Sequence, residues 1–306
     1  MSKKFNKVVE LRESGNFEEA EEALRDLLVT DPDDALAWSH LAQIKISTND
    51  LMSANEALAK AIAIDSKLPH IGWNSARILL KQQKFPAALE LATTMHQLNR
   101  EDAEGLGMMG NCLRLNGRDE ESLLFLEKAI RANPSNAEAY ASRAMISLKS
   151  NATESALQDF DKALAIKPFL RELWPLVVSL KQQIGDISGA SAVLDLALKF
   201  EPANLDYILS RAGMRQALGD PEGVIVDLKT AIRINPTMAE VFLNLGAAYR
   251  SVGMLDDAIK SLLKAIDINP EFHAAYFNLG NAYKQQNDLE SAIKSYLQAI
   301  ACNSEL

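Results

Sequence analysis

Small and apolar residues recur along this chain with a period of 34 residues. The stretch that begins at Ala239 reads AEVFLNLGAAYRSVGMLDDAIKSLLKAI, and the stretch that begins at His273 reads HAAYFNLGNAYKQQNDLESAIKSYLQAI. Rows of 34 residues written from residue 1 fill all 306 residues in nine rows, without an insertion or a deletion. Positions are numbered from the first residue of each row. Such a period is typical of stacked supersecondary units, so the pattern predicts nine copies of one unit.

Fixed columns of these rows hold small residues. Position 20 is alanine in seven rows, and position 8 is glycine or alanine in seven rows. Two helices cross closely only where their side chains are small. The columns therefore predict paired helices that pack through positions 8 and 20.

Proline and glycine mark the ends of the predicted helices. Position 32 is proline in six rows, and a proline there separates one helix from the next. Position 15 is glycine in five rows and asparagine at Asn151 and Asn287, residue types that tolerate the left-handed conformation at a helix end. Each row is thus predicted to be two helices and two tight turns. Pro175, at position 5, predicts a late or bent first helix in row six.

The composition fits a globular helical protein, with 48% hydrophobic, 24% charged and 6% aromatic residues. The formal net charge of −9 argues against nucleic acid or an anionic membrane as the main partner, because either would require a basic face. The N-terminal segment MSKKFNKVVELRESG lacks the apolar core of a signal peptide. We therefore expect a cytoplasmic protein.

The signals for catalysis are weak. Gly105, Gly107 and Gly110 form GxGxxG within EGLGMMG, but a dinucleotide site needs a strand before these glycines. Here they fall inside a first helix, and the favoured interpretation is helix packing at Gly110. The four histidines and Cys112 and Cys302 lack metal-ligand spacing. We expect no catalytic residue, no metal and no cofactor.

The columns resemble the tetratricopeptide repeat. The family pattern places aromatic, Leu, Gly or Ala, Tyr, Ala, aromatic, Ala and Pro at positions 4, 7, 8, 11, 20, 24, 27 and 32. Rows eight and nine match it closely, with Phe242, Leu245, Gly246, Tyr249, Ala258, Leu262, Ala265 and Pro270, then Tyr276, Leu279, Gly280, Tyr283, Ala292, Tyr296 and Ala299.

The resemblance covers all 306 residues. It implies an all-α fold, a right-handed superhelical α-solenoid of nine helix-turn-helix hairpins in a single domain spanning residues 1–306. The implied repeats are residues 1–34, 35–68, 69–102, 103–136, 137–170, 171–204, 205–238, 239–272 and 273–306.

In this family the first helix of every repeat lines the concave groove where ligands bind. At the C-terminal end, Asn244, Asn278 and Asn281 stand at groove positions 6 and 9, and Arg250 and Lys284 stand at position 12. An amide both donates and accepts hydrogen bonds, so a row of asparagines can hold the backbone of an extended peptide. The arrangement is similar to the asparagine ladder in the tetratricopeptide arm of O-linked N-acetylglucosamine transferases. A purely structural role is the alternative, since asparagine is common at these positions of the family.

A second candidate site is a basic and aromatic cluster in rows three and four. Tryptophan and arginine are frequent interface anchors, and a basic groove would select acidic or C-terminal carboxylate peptides. Trp73 has a packing alternative, because Gly72 leaves position 4 empty for an aromatic ring. The complete residue set with which relatives clamp chaperone tails is missing from consecutive rows. The cluster comprises His70, Trp73, Asn74, Arg77, Lys81, Asn111 and Arg114.

The predicted function is a non-catalytic protein–protein interaction scaffold that binds an extended peptide or protein segment in its concave groove. The alternative is a substrate-recruiting arm of a larger enzyme, a glycosyltransferase or sulfotransferase, whose catalytic domain lies beyond residue 306. The last helix carries Ile293, Tyr296, Leu297 and Ile300 with no repeat after it. A solenoid must cover its terminal apolar faces, so we expect a further domain, self-association or a partner at this end.

Overall fold

The computed structural model shows the predicted all-α fold. It describes the backbone of residues 3–98 and 102–302, and the side chains of these residues apart from Lys3, Lys4 and Pro69. In those ranges the chain forms eighteen α-helices and one short 3-10 helix, and it contains no strand. In chain order the helices are α1 (Lys3–Glu13), α2 (Phe17–Thr30), α3 (Ala35–Ser47), α4 (Leu51–Ile64), α5 (Pro69–Lys81), α6 (Phe85–Leu98), α7 (Ala103–Leu115), α8 (Asp119–Ala132), α9 (Ala137–Lys149), α10 (Thr153–Ile166), α11 (Trp174–Gln183), α12 (Ile187–Phe200), α13 (Leu205–Ala217), α14 (Pro221–Ile234), α15 (Ala239–Ser251), α16 (Leu255–Ile268), α17 (His273–Gln285) and α18 (Leu289–Cys302).

Each row of the register holds one pair of successive helices, as predicted. Row six also begins late, as Pro175 indicated. A 3-10 helix at Arg171–Leu173 precedes α11, which starts at Trp174. Pro175 is therefore the second residue of its helix, where a backbone N–H has no intrahelical partner and a proline is tolerated.

The turn inside each hairpin is fixed at position 15. Gly15 has φ +82° and Asn151 has φ +60°, both in the left-handed region that ends a helix. Asn49 and Gln83, which occupy the same column, also have positive φ. Their left-handed conformation follows from the repeat geometry, and it was not predicted from the residue types.

The close helix crossing at position 8 has a direct steric cause. A β-carbon at Gly110 would lie 2.6 Å from Cδ2 of Leu126, and one at Gly246 would lie 2.6 Å from Cγ of Leu262. Both contacts join position 8 of a first helix to position 24 of its second helix. The hairpins pack this tightly because the residue at position 8 is small.

The chain divides into two compact units, Met1–Leu173 and Trp174–Leu306. The first unit holds α1 to α10, and the second holds α11 to α18. Each has its own buried apolar residues, such as Ile44 and Leu58 in the first and Leu228 and Leu262 in the second. The single domain spanning residues 1–306 stays a prediction. Every helix in the described ranges is too short or too polar to cross a membrane.

Candidate peptide-binding face

A cavity of about 160 Å³ opens between α13 and α15, the first helices of repeats seven and eight. We call it the α13–α15 cavity. Its rim is polar, because the side chains of Gln216, Glu240 and Asn244 are exposed there. The rest of the lining is apolar or small and consists of Leu209, Ala212, Gly213, Val224, Leu228, Met238 and Val241. The cavity can therefore enclose an apolar group while its rim bonds to polar groups.

Gly213 keeps this cavity open. A β-carbon placed on Gly213 would meet no atom within 4 Å, so its exposed position borders empty space. Every other repeat carries a side chain at position 9. Glycine inside a helix costs about 0.5–1 kcal/mol relative to alanine, so Gly213 is locally unfavourable. Gly213 was not among the predicted site residues, because one glycine in the variable column 9 gives no periodic signal.

The three predicted asparagines differ in what their side chains already bond. Asn278 Nδ2 donates a 2.9 Å hydrogen bond to the carbonyl oxygen of Ala274, within its own helix. Asn281 Oδ1 accepts a 2.9 Å hydrogen bond from the hydroxyl of Tyr296. Asn244 is exposed on the rim of the α13–α15 cavity. Of the three, Asn244 is thus the best placed to contact a ligand there.

The two cations predicted beside these asparagines lie away from the cavity lining. Arg250, at position 12 of α15, is half-buried, and its Nε has no hydrogen-bond partner among the described residues. Lys284, at the same position of α17, is exposed. A role in binding stays a prediction for both residues.

Trp73 and Asn74, predicted as ligand contacts in the second cluster, lie in the core of the first unit. Trp73 is 1% exposed, and its Nε1 donates a 2.7 Å hydrogen bond to Oδ2 of Asp102. Asn74 is equally buried and donates to the carbonyl oxygen of Ser39 at 3.0 Å. This arrangement corrects the predicted surface position and favours the packing alternative for Trp73. The indole ring packs over Gly105, where a β-carbon would lie 2.4 Å from Cζ2.

The other members of that cluster are largely paired within the protein. Arg77 Nη2 lies 2.6 Å from Oε1 of Glu104, and His70 Nδ1 lies 3.5 Å from Oε2 of the same carboxylate. Glu104 thus neutralises cations that were expected to attract an acidic peptide. Arg114 Nη2 donates to Oδ1 of Asn111 at 2.9 Å. The structure brings His70, Asn74 and Arg77 together, whereas Asn111 and Arg114 form a separate pair and Lys81 is exposed.

The pKa values of two histidines in the first unit, His40 and His70, are shifted in opposite directions. Burial, with a smaller contribution from the neighbouring Arg12 guanidinium, lowers the pKa of His40 to about 4. Arg12 Nη1 lies 2.8 Å from His40 Nδ1 and also donates to Oε1 of Gln43. The hydrogen bond to Glu104 raises the pKa of His70. Burial opposes ionisation of Glu104, but His70 and Arg77 outweigh it and hold the pKa of that carboxyl well below its usual range.

Two buried ion pairs, each within one hairpin, were not predicted from the sequence. Arg143 Nε and Nη2 bind both oxygens of Asp159 at 2.7 and 2.8 Å. Arg211 binds both oxygens of Asp227 in the same way, at 3.0 and 2.5 Å. Both pairs join position 7 to position 23. The signal was an arginine where the family pattern has leucine, together with an aspartate sixteen residues later.

The glycines of the GxGxxG sequence all lie within α7. Gly105 and Gly110 face Trp73 and Leu126 at distances that leave no room for a β-carbon. Cys112 is buried in the same helix, and burial raises its pKa to about 12. Among the described residues, no three His, Cys, Asp or Glu side chains are grouped so that they could hold a metal ion.

Models of the tetratricopeptide repeat match this chain in several places. They cover residues 11–75 and 79–146, residues 124–170, and residues 273–306. A model described as TPR repeat matches residues 248–287. The matched segments together make up more than half of the chain.

Among curated proteins, the chain is similar to cellulose synthase operon protein C of Pseudomonas fluorescens, at 28% identity over 128 residues. That match covers 42% of this chain and 10% of the relative. It is also similar to protein FlbA of Caulobacter vibrioides, at 21% identity over 184 residues, covering 60% of this chain and 31% of the relative. The chain therefore spans less than a third of the length of either relative.

Solved structures with a similar backbone include MamA, at 22% identity and a TM-score of 0.47, covering 55% of this chain and 92% of that one. YrrB, described as a TPR protein with an unusual peptide-binding site, has 20% identity and a TM-score of 0.33, covering 70% and 93%. A chain of the APC/C hetero-tetramer Cut9–Hcn1 has 16% identity and a TM-score of 0.49, covering 94% of this chain and 57% of that one. The 34-residue register, the helix pair in every row and the family-model matches establish that this chain belongs to the tetratricopeptide repeat family.

Proposed function

We propose that this protein is a non-catalytic interaction scaffold that binds an extended peptide or protein segment on the first-helix face of its second unit. The observation that carries the proposal is the α13–α15 cavity, an apolar recess with a polar rim. Binding sites are usually concave and mostly apolar, with a few polar groups that fix orientation. The cavity has this composition.

The size and lining of the cavity favour one apolar side chain as the anchor. Its volume of about 160 Å³ is close to that of the ~150 Å³ apolar cavity known to take up benzene. Leu209 and Met238 border the opening and are only partly buried. A leucine, methionine or phenylalanine side chain of a ligand would cover them and Gly213. Aromatic or aliphatic anchors of this kind dominate many interfaces.

The polar rim favours an extended backbone around that anchor. The amides of Asn244 and Gln216 each offer a donor and an acceptor, and Glu240 offers acceptors. An extended peptide presents free N–H and C=O groups on both sides of each side chain. Rim amides can bond these groups whatever the peptide sequence, so specificity would come mainly from the anchor.

The charge of the chain supports a protein or peptide partner rather than nucleic acid. The formal net charge is −9, and Glu240 adds a negative group to the rim itself. A phosphate backbone would be repelled from such a site. A ligand without acidic residues beside its apolar anchor fits the rim better.

The test begins with 12-residue peptides selected from a random display library on the intact chain. Binding of a selected peptide is then measured by fluorescence anisotropy for three variants. Gly213→Leu fills the cavity without meeting other atoms at its β-carbon, and Asn244→Ala removes a rim amide. Val226→Leu, at an exposed site on α14, is the matched control for added bulk.

We expect Gly213→Leu and Asn244→Ala each to weaken binding at least tenfold, with circular dichroism and the binding of Val226→Leu unchanged. Selected peptides should share one apolar residue. Peptides that bind all three variants equally, or a library that yields no binder, would contradict the proposal.

A further inference from the structure

Among the residues that the structure describes, α17 and α18 carry an exposed apolar face. Phe277 is 54% exposed, and Ile293 and Ile300 are each 59% exposed. Phe277 and Ile300, together with Tyr296 and Ala299, line an open groove of about 680 Å³. We call the surface formed by these five residues the end face. The expected exposure of the last helix is thus confirmed for Ile293, Leu297 and Ile300, whereas Tyr296 is half-buried.

The repeat register shows what such a face contacts when it is covered. Leu243, Ile259 and Ile266 stand one repeat earlier at the positions of Phe277, Ile293 and Ile300. These three residues are partly buried and pack against a core cluster to which α17 contributes Leu279. The end face is therefore the continuation of an interface already formed between repeats eight and nine.

Leu297 lies on α18 outside the end face, and its exposure is that of an ordinary surface residue of the repeat. It is 60% exposed on the same helix. Its counterpart one repeat earlier, Leu263, is still 47% exposed although α17 covers that repeat. A helix packed on the end face would therefore leave Leu297 in solvent while it covered Ile300.

The way in which α17 covers repeat eight indicates which helix would fit the end face. α17 covers repeat eight with Leu279, Ala282 and Tyr283, an i, i+3, i+4 apolar stripe. Ala282 is small enough to let the helices approach closely. From this continuity we propose that the end face docks an amphipathic α-helix of a partner protein, which lies against α17 and α18 as α17 lies against repeat eight.

A second copy joined head to tail fits this face poorly. Such a copy would place its α1 against the end face. Positions 7 and 10 of α1 are Lys7 and Glu10, whereas the same positions of α17 are Leu279 and Ala282. Both side chains are exposed in the structure. Burying two unpaired charges against apolar residues is strongly unfavourable, so the helix must come from a chain with an apolar stripe at these positions.

The experiment offers the full chain a helix of known fit. The probe is a fluorescein-labelled, end-capped peptide with the sequence of residues 270–289, which contains α17. The control peptide carries Leu279→Asp and Tyr283→Asp. On the protein, Ile300→Asp disrupts the end face, and Leu297→Asp on the same helix is the matched control. All variants are first compared by circular dichroism and by light scattering.

We expect saturable binding of the probe and at least tenfold weaker binding of the control peptide. Ile300→Asp should weaken probe binding at least tenfold, whereas Leu297→Asp should change it less than twofold. The proposal is overturned if the probe fails to bind at a protein concentration of about 500 µM, at which even a weakly bound helix would be detected. It is also overturned if Ile300→Asp binds the probe normally. A wild-type dimer that Ile300→Asp dissociates would overturn it in favour of a second copy. None of these variants touches Gly213 or Asn244, so the outcome is independent of the groove proposal.

Discussion

The indole Nε1–H of Trp73 on α5 donates a 2.7 Å hydrogen bond to Oδ2 of Asp102, the residue that precedes α7. The other oxygen of Asp102 accepts from the backbone N–H of Glu104 at 3.2 Å and caps α7. One carboxylate therefore satisfies a buried indole and a helix N-terminus together. Both roles depend on an aspartate at the last position of the third repeat.

Asp102→Ala should destabilise the protein by about 2–3 kcal/mol, because it removes a helix cap and leaves the buried Trp73 N–H unpaired. Asp34→Ala removes a cap with no second role, since Asp34 accepts from the N–H of Ala37 at 2.9 Å. It should cost about 1 kcal/mol. Urea denaturation of both variants measures the difference. Equal losses would mean that the Trp73 hydrogen bond adds nothing.

The architecture could be predicted from the sequence because its causes are local and repeated. Position 8 must hold a small residue for the helices to cross, and position 15 must accept a left-handed backbone. Both requirements recur in every repeat and are therefore visible as conserved residue types at fixed positions of the 34-residue rows. Trp73 was harder, since its ring enters the core over Gly105 of the following repeat. The α13–α15 cavity was missed because it depends on the absence of a side chain at Gly213. A single glycine in a variable column carries no periodic signal.

The ion pair between Arg211 and Asp227 should be costly to break from one side. Asp227 has 1% of its side chain exposed and also accepts from Arg215 Nη1 at 3.0 Å. Asp227→Ser should cost about 2–3 kcal/mol, because it removes the buried carboxylate that Arg211 and Arg215 share and leaves Arg211 paired only with the exposed Asp195, at 2.8 Å. The double variant Arg211→Leu with Asp227→Ser recreates Leu245 and Ser261 of repeat eight at the same positions.

This double variant should recover most of the lost stability, since a hydrophobic replacement of a buried ion pair is often neutral or stabilising. Guanidinium denaturation of the wild type, the two single variants and the double variant gives the coupling energy. Additive losses from the two substitutions would show that Arg211 and Asp227 do not stabilise each other.

Two glycines inside helices should respond to alanine with opposite signs. A β-carbon at Gly213 meets open space, so Gly213→Ala should stabilise the protein by about 0.5–1 kcal/mol through helix propensity. A β-carbon at Gly110 would lie 2.6 Å from the fully buried Leu126. Gly110→Ala should therefore destabilise by about 1–3 kcal/mol from overpacking. Thermal unfolding of the two variants tests the contrast, and a shift of the same sign in both would refute it.

His40 should make the stability of the protein fall as the pH falls below neutrality. Its side chain is 8% exposed, and Arg12 on α1 donates to Nδ1, so the folded protein holds the ring neutral. The pKa of His40 is about 4 in the folded state, against 6.5 ordinarily. The unfolded chain therefore binds a proton that the folded chain rejects between these pH values. Linkage gives a loss of about 2 kcal/mol between pH 7 and pH 5.

The variant His40→Gln isolates this effect, because a glutamine oxygen can still accept from Arg12 but cannot titrate. His70 on α5 acts in the opposite sense. Its pKa is raised by Glu104 on α7, so its contribution is present at low pH and lost as the pH rises through the folded value. Both chains retain His70, so the difference between wild type and His40→Gln reports His40.

Urea denaturation at pH 5, 6 and 7 should show His40→Gln gaining about 2 kcal/mol relative to the wild type as the pH falls. His273→Gln, at an exposed histidine of α17, controls for the substitution itself. A constant difference across this range would mean that His40 takes up its proton in the folded state as readily as in the unfolded chain.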